Sequence, residues 1–455
     1  MDFGQNEIKI PKRVLNTLIS ALTAGVVPRI GAPYIAIGRQ EEINSLLDNL
    51  DTVAAGGAFC RFLIGRYGSG KSFLIQLIRG KALESGFLCA DADLSPERRL
   101  TGGGGAGLAT YRELMINLAT KASPDGGALP TVLSRYYAQL KTELAECGVM
   151  PEDEDYSLKL MSRVSRTLSE IEGDIGGFDF ARVLSAYFSA MTEDNAEKKS
   201  ACLKWLRGEY ANKTEANSAL GFRVSTVIDD DNWYNYIKLF SSLCVKLGYS
   251  GFIVFIDECV NLYKIPNRIS REANYEKFLA IFNDTLQGKA TSLGFIFGGT
   301  PQFLEDPRRG LFSYDALKSR LSDSKYAGLG YQNLASPVIR LRMLSDNELI
   351  ALVKRLDRLY SIKEGIPTNI SDEQIERFIR SERGRAGGEE MTTPREIIRD
   401  FLTVLNILRD NAAANFDEVI SKVTASENEE NSEGYTSQLK SGDPTKKISL
   451  FDIDI

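Results

Sequence analysis

A glycine-rich string near the amino terminus has the residue types and spacing of a phosphate-binding loop. Residues 65–72 read Gly-Arg-Tyr-Gly-Ser-Gly-Lys-Ser and match the pattern G-x4-G-K-[ST]. Glycines at these positions let backbone N–H groups surround phosphate oxygens, while Lys71 can reach the β- and γ-phosphates of ATP and Ser72 can bind Mg²⁺. The alternative is a glycine turn that binds nothing. The residues predicted to bind nucleotide here are Gly65, Arg66, Tyr67, Gly68, Ser69, Gly70, Lys71, Ser72 and Phe73.

Two acids end a second apolar segment, residues 251–258, which reads Gly-Phe-Ile-Val-Phe-Ile-Asp-Glu. Asp257 is expected to hold Mg²⁺ through water, and Glu258 to polarise the water that attacks the γ-phosphate. An acid directly after the metal-binding Asp favours a hydrolase over a nucleotide switch. The alternative is a strand end that carries two solvated acids.

A third polar residue, Thr300, ends the apolar segment 295–300, Phe-Ile-Phe-Gly-Gly-Thr. Its hydroxyl could orient the attacking water from beside Glu258. The alternative is a threonine that closes a turn before Pro301.

One further cation, Arg395, stands in the first turn of a predicted helix that begins Thr-Pro-Arg-Glu. A cation at this end of a helix opposes the helix dipole, so an anion such as the γ-phosphate is expected to face it. The alternative is an ion pair with Glu389 or Glu390.

The composition removes several chemistries. The 455 residues contain no histidine, and 55 Lys and Arg against 61 Asp and Glu give a formal net charge of −6. The missing imidazole excludes Ser-His-Asp and Cys-His nucleophiles, a histidine base and histidine-bound metals, so Glu258 is the expected base. The acidic balance argues against non-specific coating of nucleic acid. No segment is apolar enough for a signal or a membrane span, which predicts a cytoplasmic protein.

The six cysteines lie at irregular spacings in apolar segments and form no C-x-x-C motif. They are predicted to be buried, reduced thiols.

Apolar patterning predicts the elements that must position these groups. Strands are expected at 59–64, 87–93, 251–258 and 293–300, separated by helices, which indicates an α/β fold with a parallel sheet. Residues 108–247 have mostly helical spacing, and helices return after Leu344. The predicted parts are an N-terminal helix and lead-in (1–36), a first half of the core (37–120), a helical insertion (121–230), a second half of the core (231–343), a helical lid (344–423) and a disordered tail that ends in an apolar peptide (424–455).

Taken in order, these motifs resemble those of the AAA+ P-loop ATPases. The segment Ile-Gly-Arg-Gln-Glu-Glu at 37–42 resembles the motif that lies along the adenine in that class, which implies nucleotide-binding roles for Gly38 and Arg39. Thr300 resembles the sensor-one residue, and Arg395 resembles the sensor-two residue on the lid.

A more specific resemblance is to the BREX-type ATP-binding family of bacterial phage-defence loci, the BrxC/BrxD-like proteins, over about residues 11–410. It is carried by Gly-Val-Val-Pro at 25–28, by Ser-Pro-Glu-Arg-Arg-Leu at 95–100 and by Glu-Asp-Pro-Arg-Arg-Gly at 305–310. Thr101 stands where that family often has histidine, so no role of that residue carries over.

The resemblance implies an oligomeric, ATP-hydrolysing subunit of a phage-defence system that remodels or loads a partner, a helicase or a nuclease, on DNA. An arginine finger is implied at Arg320, and the alternatives are a finger at Arg308 or Arg309 and no finger at all. A slow nucleotide-gated assembly switch and a replication-type loader that binds DNA directly remain the alternative functions.

Three weaker signals stay open. Arg98 and Arg99 precede a glycine-rich loop, residues 101–107, that could contact DNA or a partner, or could be a floppy connection. Aromatic residues of the insertion, such as Tyr136 and Trp205, favour a core over a base-stacking surface. The terminal segment around Phe451 resembles a sliding-clamp peptide, or it could add an edge strand.

Overall fold

The structure is a computed structural model that describes residues 9–170, 175–323, 333–385, 393–411 and 413–421. The chain divides into two units. A sheet-containing unit spans Gly38–Met343, and a helical unit combines Met1–Ile37 with Leu344–Ile455. The terminal segment around Phe451 lies outside the described residues.

The sheet-containing unit is built on five parallel strands, in the order β2-β3-β4-β1-β5. This confirms the predicted α/β class and all four predicted strands, and it adds a fifth. The strands are β1 (Ala58–Gly65), β2 (Leu88–Asp93), β3 (Phe252–Asp257), β4 (Leu293–Gly299) and β5 (Val338–Leu341).

The central strands β3 and β4 are mostly apolar, as expected for strands of a parallel sheet that helices cover. Every residue of β3 and β4 is buried. The ring of Phe278 lies 4.8 Å from that of Phe297 and 5.6 Å from that of Phe62. The helices around the sheet are α2 (Gln40–Ala54), α3 (Lys71–Glu84), α4 (Ala106–Ile116), α11 (Val260–Tyr263), α12 (Arg268–Leu286), α13 (Pro301–Glu305) and α14 (Asp315–Leu321).

Between α4 and β3, in the region with helical spacing, the described residues form six helices. The aromatic side chains of this region form a core: Tyr136, Tyr137, Tyr187, Phe188 and Trp205 are each at most 6% exposed. The prediction of a core over a stacking surface is confirmed, while the boundaries at 121 and 230 stay a prediction. The helices are α5 (Leu129–Glu146), α6 (Tyr156–Ser169), α7 (Gly177–Thr192), α8 (Ala196–Leu206), α9 (Lys213–Leu220) and α10 (Trp233–Lys246).

The helical unit packs α1 (Lys12–Thr23) against α15 (Asp346–Glu364) and α17 (Pro394–Asp410), and α15 also packs against α16 (Asp372–Arg385). The apolar face of α1 is buried in this unit. Two helices of this unit begin with complete capping boxes, Ser345 with Glu348 and Thr393 with Glu396. The predicted N-terminal helix is α1, which ends at Thr23.

The cysteines depart from the prediction at one position. All six are free thiols and five are buried, but Cys147 is exposed. Cys147 follows the last turn of α5 and precedes Gly148, so it lies where the helix ends at the surface. Within the described residues, no helix combines the length and the apolar character that a membrane crossing requires.

Candidate functional site

The predicted phosphate loop connects β1 to α3, as the motif requires. Gly68 and Gly70 have φ values of +78° and +87°, a left-handed conformation that glycine adopts without the strain of a side chain. Lys71 Nζ donates hydrogen bonds to the carbonyl of Gly65 at 3.1 Å and to that of Arg66 at 3.4 Å. The loop therefore curls around the ammonium group of its own lysine.

Lys71 is a partly buried cation that forms no ion pair with any described residue. Burial lowers the pKa of its ammonium group, while the charges of Asp257 and Glu258 act in the opposite direction. A cation in these surroundings is stabilised by an anion, so the loop fits a triphosphate group.

The loop closes tightly on β1. The Ser69 hydroxyl is buried and has no hydrogen-bond partner among the described residues. A Cβ atom on Gly65 would lie 2.3 Å from Ser69 Oγ, so only glycine leaves room for the loop at that position.

The candidate Mg²⁺ ligands meet across the sheet. Ser72 Oγ donates a hydrogen bond to Oδ2 of Asp257 at 2.7 Å, and Oδ1 of Asp257 accepts the N–H of Glu258 at 2.8 Å. In the part of the chain that the structure describes, no group of three or more Cys, Asp or Glu side chains could hold a metal. Two protein ligands nevertheless suit Mg²⁺ in a nucleotide site, because phosphates and water complete its octahedral shell.

Gly298, a residue not singled out from the sequence, makes room for the Asp257 carboxylate. It lies on β4, next to β3, and a Cβ atom at this position would lie 2.1 Å from Asp257 Oδ1. Its carbonyl also accepts the N–H of Cys259 at 3.0 Å. The glycine pair in Phe-Gly-Gly-Thr was visible in the sequence, but its contact with Asp257 depends on strand order.

Glu258 has a backbone conformation that non-glycine residues rarely adopt, with φ +55°. The residue is exposed and directly follows the last residue of β3. Left-handed non-glycine residues cost free energy and cluster at functional sites. This strain supports a functional role for the residue predicted as the base.

Thr300 follows β4, the strand between β1 and β3, so it lies at the sheet edge that carries the phosphate loop and Asp257. Its hydroxyl accepts the N–H of Phe303 at 3.3 Å and caps α13. The turn-closing role before Pro301 is therefore present in the structure, and the sensor role stays a prediction.

A third carboxylate, Asp93, lies at the same edge and was not predicted as a site residue. It ends β2 and pairs with Asp257 in the register of β2 and β3. Although part of the residue is exposed, loss of solvent around the carboxyl and then the charge of Asp257 raise its pKa to about 6. Its position at the end of a predicted strand was the available signal.

Arg39, in the segment that resembles the adenine motif, makes hydrogen bonds to other groups of the protein. The Arg39 guanidinium is buried and binds Glu42, the Ser69 carbonyl and the Arg342 carbonyl. Gly38 has a φ of +71°. The predicted nucleotide contacts of both residues stay predictions.

The finger candidates differ in how firmly the fold holds them. Arg320 is exposed, and its guanidinium donates to Asn283 Oδ1 at 3.2 Å and to the Ala316 carbonyl at 2.7 Å. Arg309 lies over the Tyr263 ring at 5.3 Å and donates to the Ile265 carbonyl. The Arg308 side chain is exposed.

Arg395 is exposed in the first turn of α17, within the helical unit. A Cβ atom on Gly25 would lie 3.5 Å from its Nε. The alternative partners Glu389 and Glu390 lie outside the described residues. The role of Arg395 at the phosphate stays a prediction.

The glycine-rich loop after β2 is held by hydrogen bonds. Both oxygens of Asp230 accept from it, and the Asn274 side chain binds the backbone of Leu100 and Thr101. Arg98 donates to the Asp93 carbonyl, and Arg99 to the Pro96 carbonyl. These contacts argue against a floppy connection. The groups that Asp230 binds are the Thr101 hydroxyl and the N–H groups of Gly102, Gly107 and Leu108.

Comparison with known protein families identifies the family of this chain. The model of a family described as BREX system ATP-binding protein BrxC/D matches residues 10–424, which is most of the chain. No curated protein matches the sequence.

Proposed function

The chain belongs to the BREX system ATP-binding protein BrxC/D family, and from that premise we propose that it binds and hydrolyses ATP at the carboxyl edge of its sheet. The observation that carries the proposal is the hydrogen bond between Ser72 and Asp257, beside Lys71, which forms no ion pair with a described residue. It supports a site in which the triphosphate lies on the loop and the two oxygen ligands hold Mg²⁺. When bound, Mg²⁺ would neutralise charge on the phosphates.

Glu258 is the proposed general base. It adjoins the proposed metal ligand Asp257, and no histidine exists in the chain to take its place. Its carboxylate would orient a water molecule toward the γ-phosphate and take its proton. Thr300, at the end of the next strand, would help to orient that water.

We further propose that the protein acts as an oligomeric subunit of a phage-defence system. In this proposal Arg320 of one copy reaches the γ-phosphate bound by another, and Arg395 senses the nucleotide from the helical unit. The exposed position of Arg320 supports the first role. The output would be the remodelling or loading of a partner helicase or nuclease on DNA.

The proposal is tested by ATP binding and by single-turnover hydrolysis with full-length protein. Lys71→Ala is expected to abolish binding, while the control Lys81→Ala, an exposed lysine on the same helix, leaves it unchanged. Glu258→Gln is expected to bind ATP and to hydrolyse it at least a hundredfold more slowly. Wild-type protein that binds no ATP, or Glu258→Gln protein that hydrolyses normally, contradicts the proposal.

A further inference from the structure

We propose that Arg39 is a positioning residue that holds the phosphate loop in its binding shape from the side opposite the phosphates. The inference rests on the proposed ATP site and adds a role that none of the loop residues has. Arg39 directly precedes α2, 30 positions before Ser69 in the chain, and the residue is 5% exposed. It donates to the Ser69 carbonyl at 3.1 Å and pairs with Glu42 at 3.2 Å.

The Ser69 carbonyl is a critical point of the loop because of peptide geometry. In a planar trans peptide the C=O and the following N–H point in opposite directions. A carbonyl drawn toward Arg39 therefore turns the N–H of Gly70 away from Arg39, toward the face on which a phosphate would lie. One guanidinium thus fixes the direction of a donor that would bind the anion.

The buried charge of Arg39 is compensated locally. Glu42, three residues later, is 4% exposed and lies within the same helix start. A buried cation without such a partner would be strongly destabilising. The Arg39 guanidinium can therefore donate to the loop from a fixed position, while the Glu42 carboxylate neutralises its buried charge.

The same guanidinium also binds the Arg342 carbonyl, directly after β5. Arg39 lies near the start of the sheet-containing unit and Arg342 near its end. The loop is therefore tied to both segments by which the chain enters and leaves this unit. Lysine cannot replace these contacts, since its single ammonium group lacks the planar fork that reaches several acceptors at once.

Arg61 offers a matched control. It is also largely buried and donates to the backbone carbonyls of Ala335 and Ser336, just before β5, and to Asn49 Oδ1, and none of these hydrogen bonds involves the phosphate loop. Arg61→Lys and Arg39→Lys therefore remove the same kind of contact, but only Arg39→Lys is expected to release the phosphate loop. Glu42→Gln provides a milder variant, because it removes the charge that pairs with the Arg39 guanidinium and so loosens the guanidinium without deleting it.

The test is ATP affinity of full-length variants, with the KM and kcat of hydrolysis measured well below each unfolding temperature. Arg39→Lys is expected to weaken ATP binding and raise KM at least tenfold with a smaller change in kcat, and Glu42→Gln is expected to give an intermediate effect. Arg61→Lys is expected to lower thermal stability without changing KM.

Equal ATP affinities in Arg39→Lys and Arg61→Lys would overturn the positioning role and leave the proposed ATPase intact. If Arg39→Lys does not fold, unchanged affinity in Glu42→Gln overturns it instead. Wild-type protein without ATP affinity would overturn both proposals.

Discussion

The hydroxyl of Ser72 lies 2.7 Å from Oδ2 of Asp257, although 185 residues separate the two in the chain. The contact joins the start of α3, which follows β1, to the end of β3. In the sheet, β4 lies between β1 and β3. The oxygen ligands proposed for Mg²⁺ are therefore already in contact in the protein.

We expect Ser72→Ala to raise the Mg²⁺ concentration needed for half-maximal hydrolysis at least tenfold, because it removes one of two proposed ligands. Ser72→Thr keeps the hydroxyl and serves as the control. Identical Mg²⁺ titrations for Ser72→Ala and the wild type would contradict a ligand role for this residue.

Gly298→Ala is expected to lower the free energy of unfolding by about 1–3 kcal/mol, because its Cβ overlaps the Asp257 carboxylate. In an Asp257→Ala background the overlap is removed, so the loss of stability caused by Gly298→Ala should largely disappear. Denaturant unfolding of the wild type, the two single variants and the double variant measures this. The control is Gly294→Ala on the same strand, whose Cβ meets the Phe59 ring. Its cost should be unaffected by Asp257→Ala.

Hydrolysis is expected to need more Mg²⁺ as pH falls through about 6. The raised pKa of Asp93 means that its carboxyl takes up a proton there and loses the negative charge beside Asp257. Asp93→Asn should therefore raise the Mg²⁺ requirement a few-fold at pH 7.5 and have a smaller effect at pH 5.5. If the Mg²⁺ requirement of Asp93→Asn, divided by that of the wild type, does not change with pH, this assignment is contradicted. The control for a general charge effect is Asp48→Asn, at an exposed position.

Mixing Arg320→Ala with Lys71→Ala protein should restore hydrolysis above the mean of the two separate activities. In the mixture, an intact arginine from the Lys71→Ala copy can reach a site with an intact lysine. Arg308→Ala in place of Arg320→Ala tests the other exposed candidate. The absence of rescue with either arginine variant would count against a finger that acts between copies.

Asp230→Ala is expected to increase hydrogen exchange over residues 101–108 and to cost about 1–3 kcal/mol of stability, because it leaves several backbone N–H groups without their acceptor. Its exposed neighbour Asp231 gives the control substitution, Asp231→Ala. Unchanged exchange in Asp230→Ala would show that other contacts hold the loop.

Local sequence patterns were sufficient to predict the α/β class, four strands and the loop between β1 and α3. The strand β5 was missed because four residues give too short an apolar pattern, and strand order was not predicted at all. The space that Gly298 leaves for Asp257 and the contact of Arg39 with Ser69 follow from that order and from packing, so no local motif encodes them. The exposure of Cys147 depends on where α5 ends, which its apolar surroundings did not reveal.

The packing of α1 against α15 and α17 has a consequence for synthesis on the ribosome. The sheet-containing unit is one continuous stretch and can fold once residue 343 has emerged, whereas α1 must wait for α17, which ends at Asp410. Until then its apolar face of Leu15, Leu18, Ile19 and Leu22 lacks one of the two helices that it packs against. A chain terminated before α17 would leave part of this apolar face uncovered, and it is expected to aggregate or to recruit chaperones.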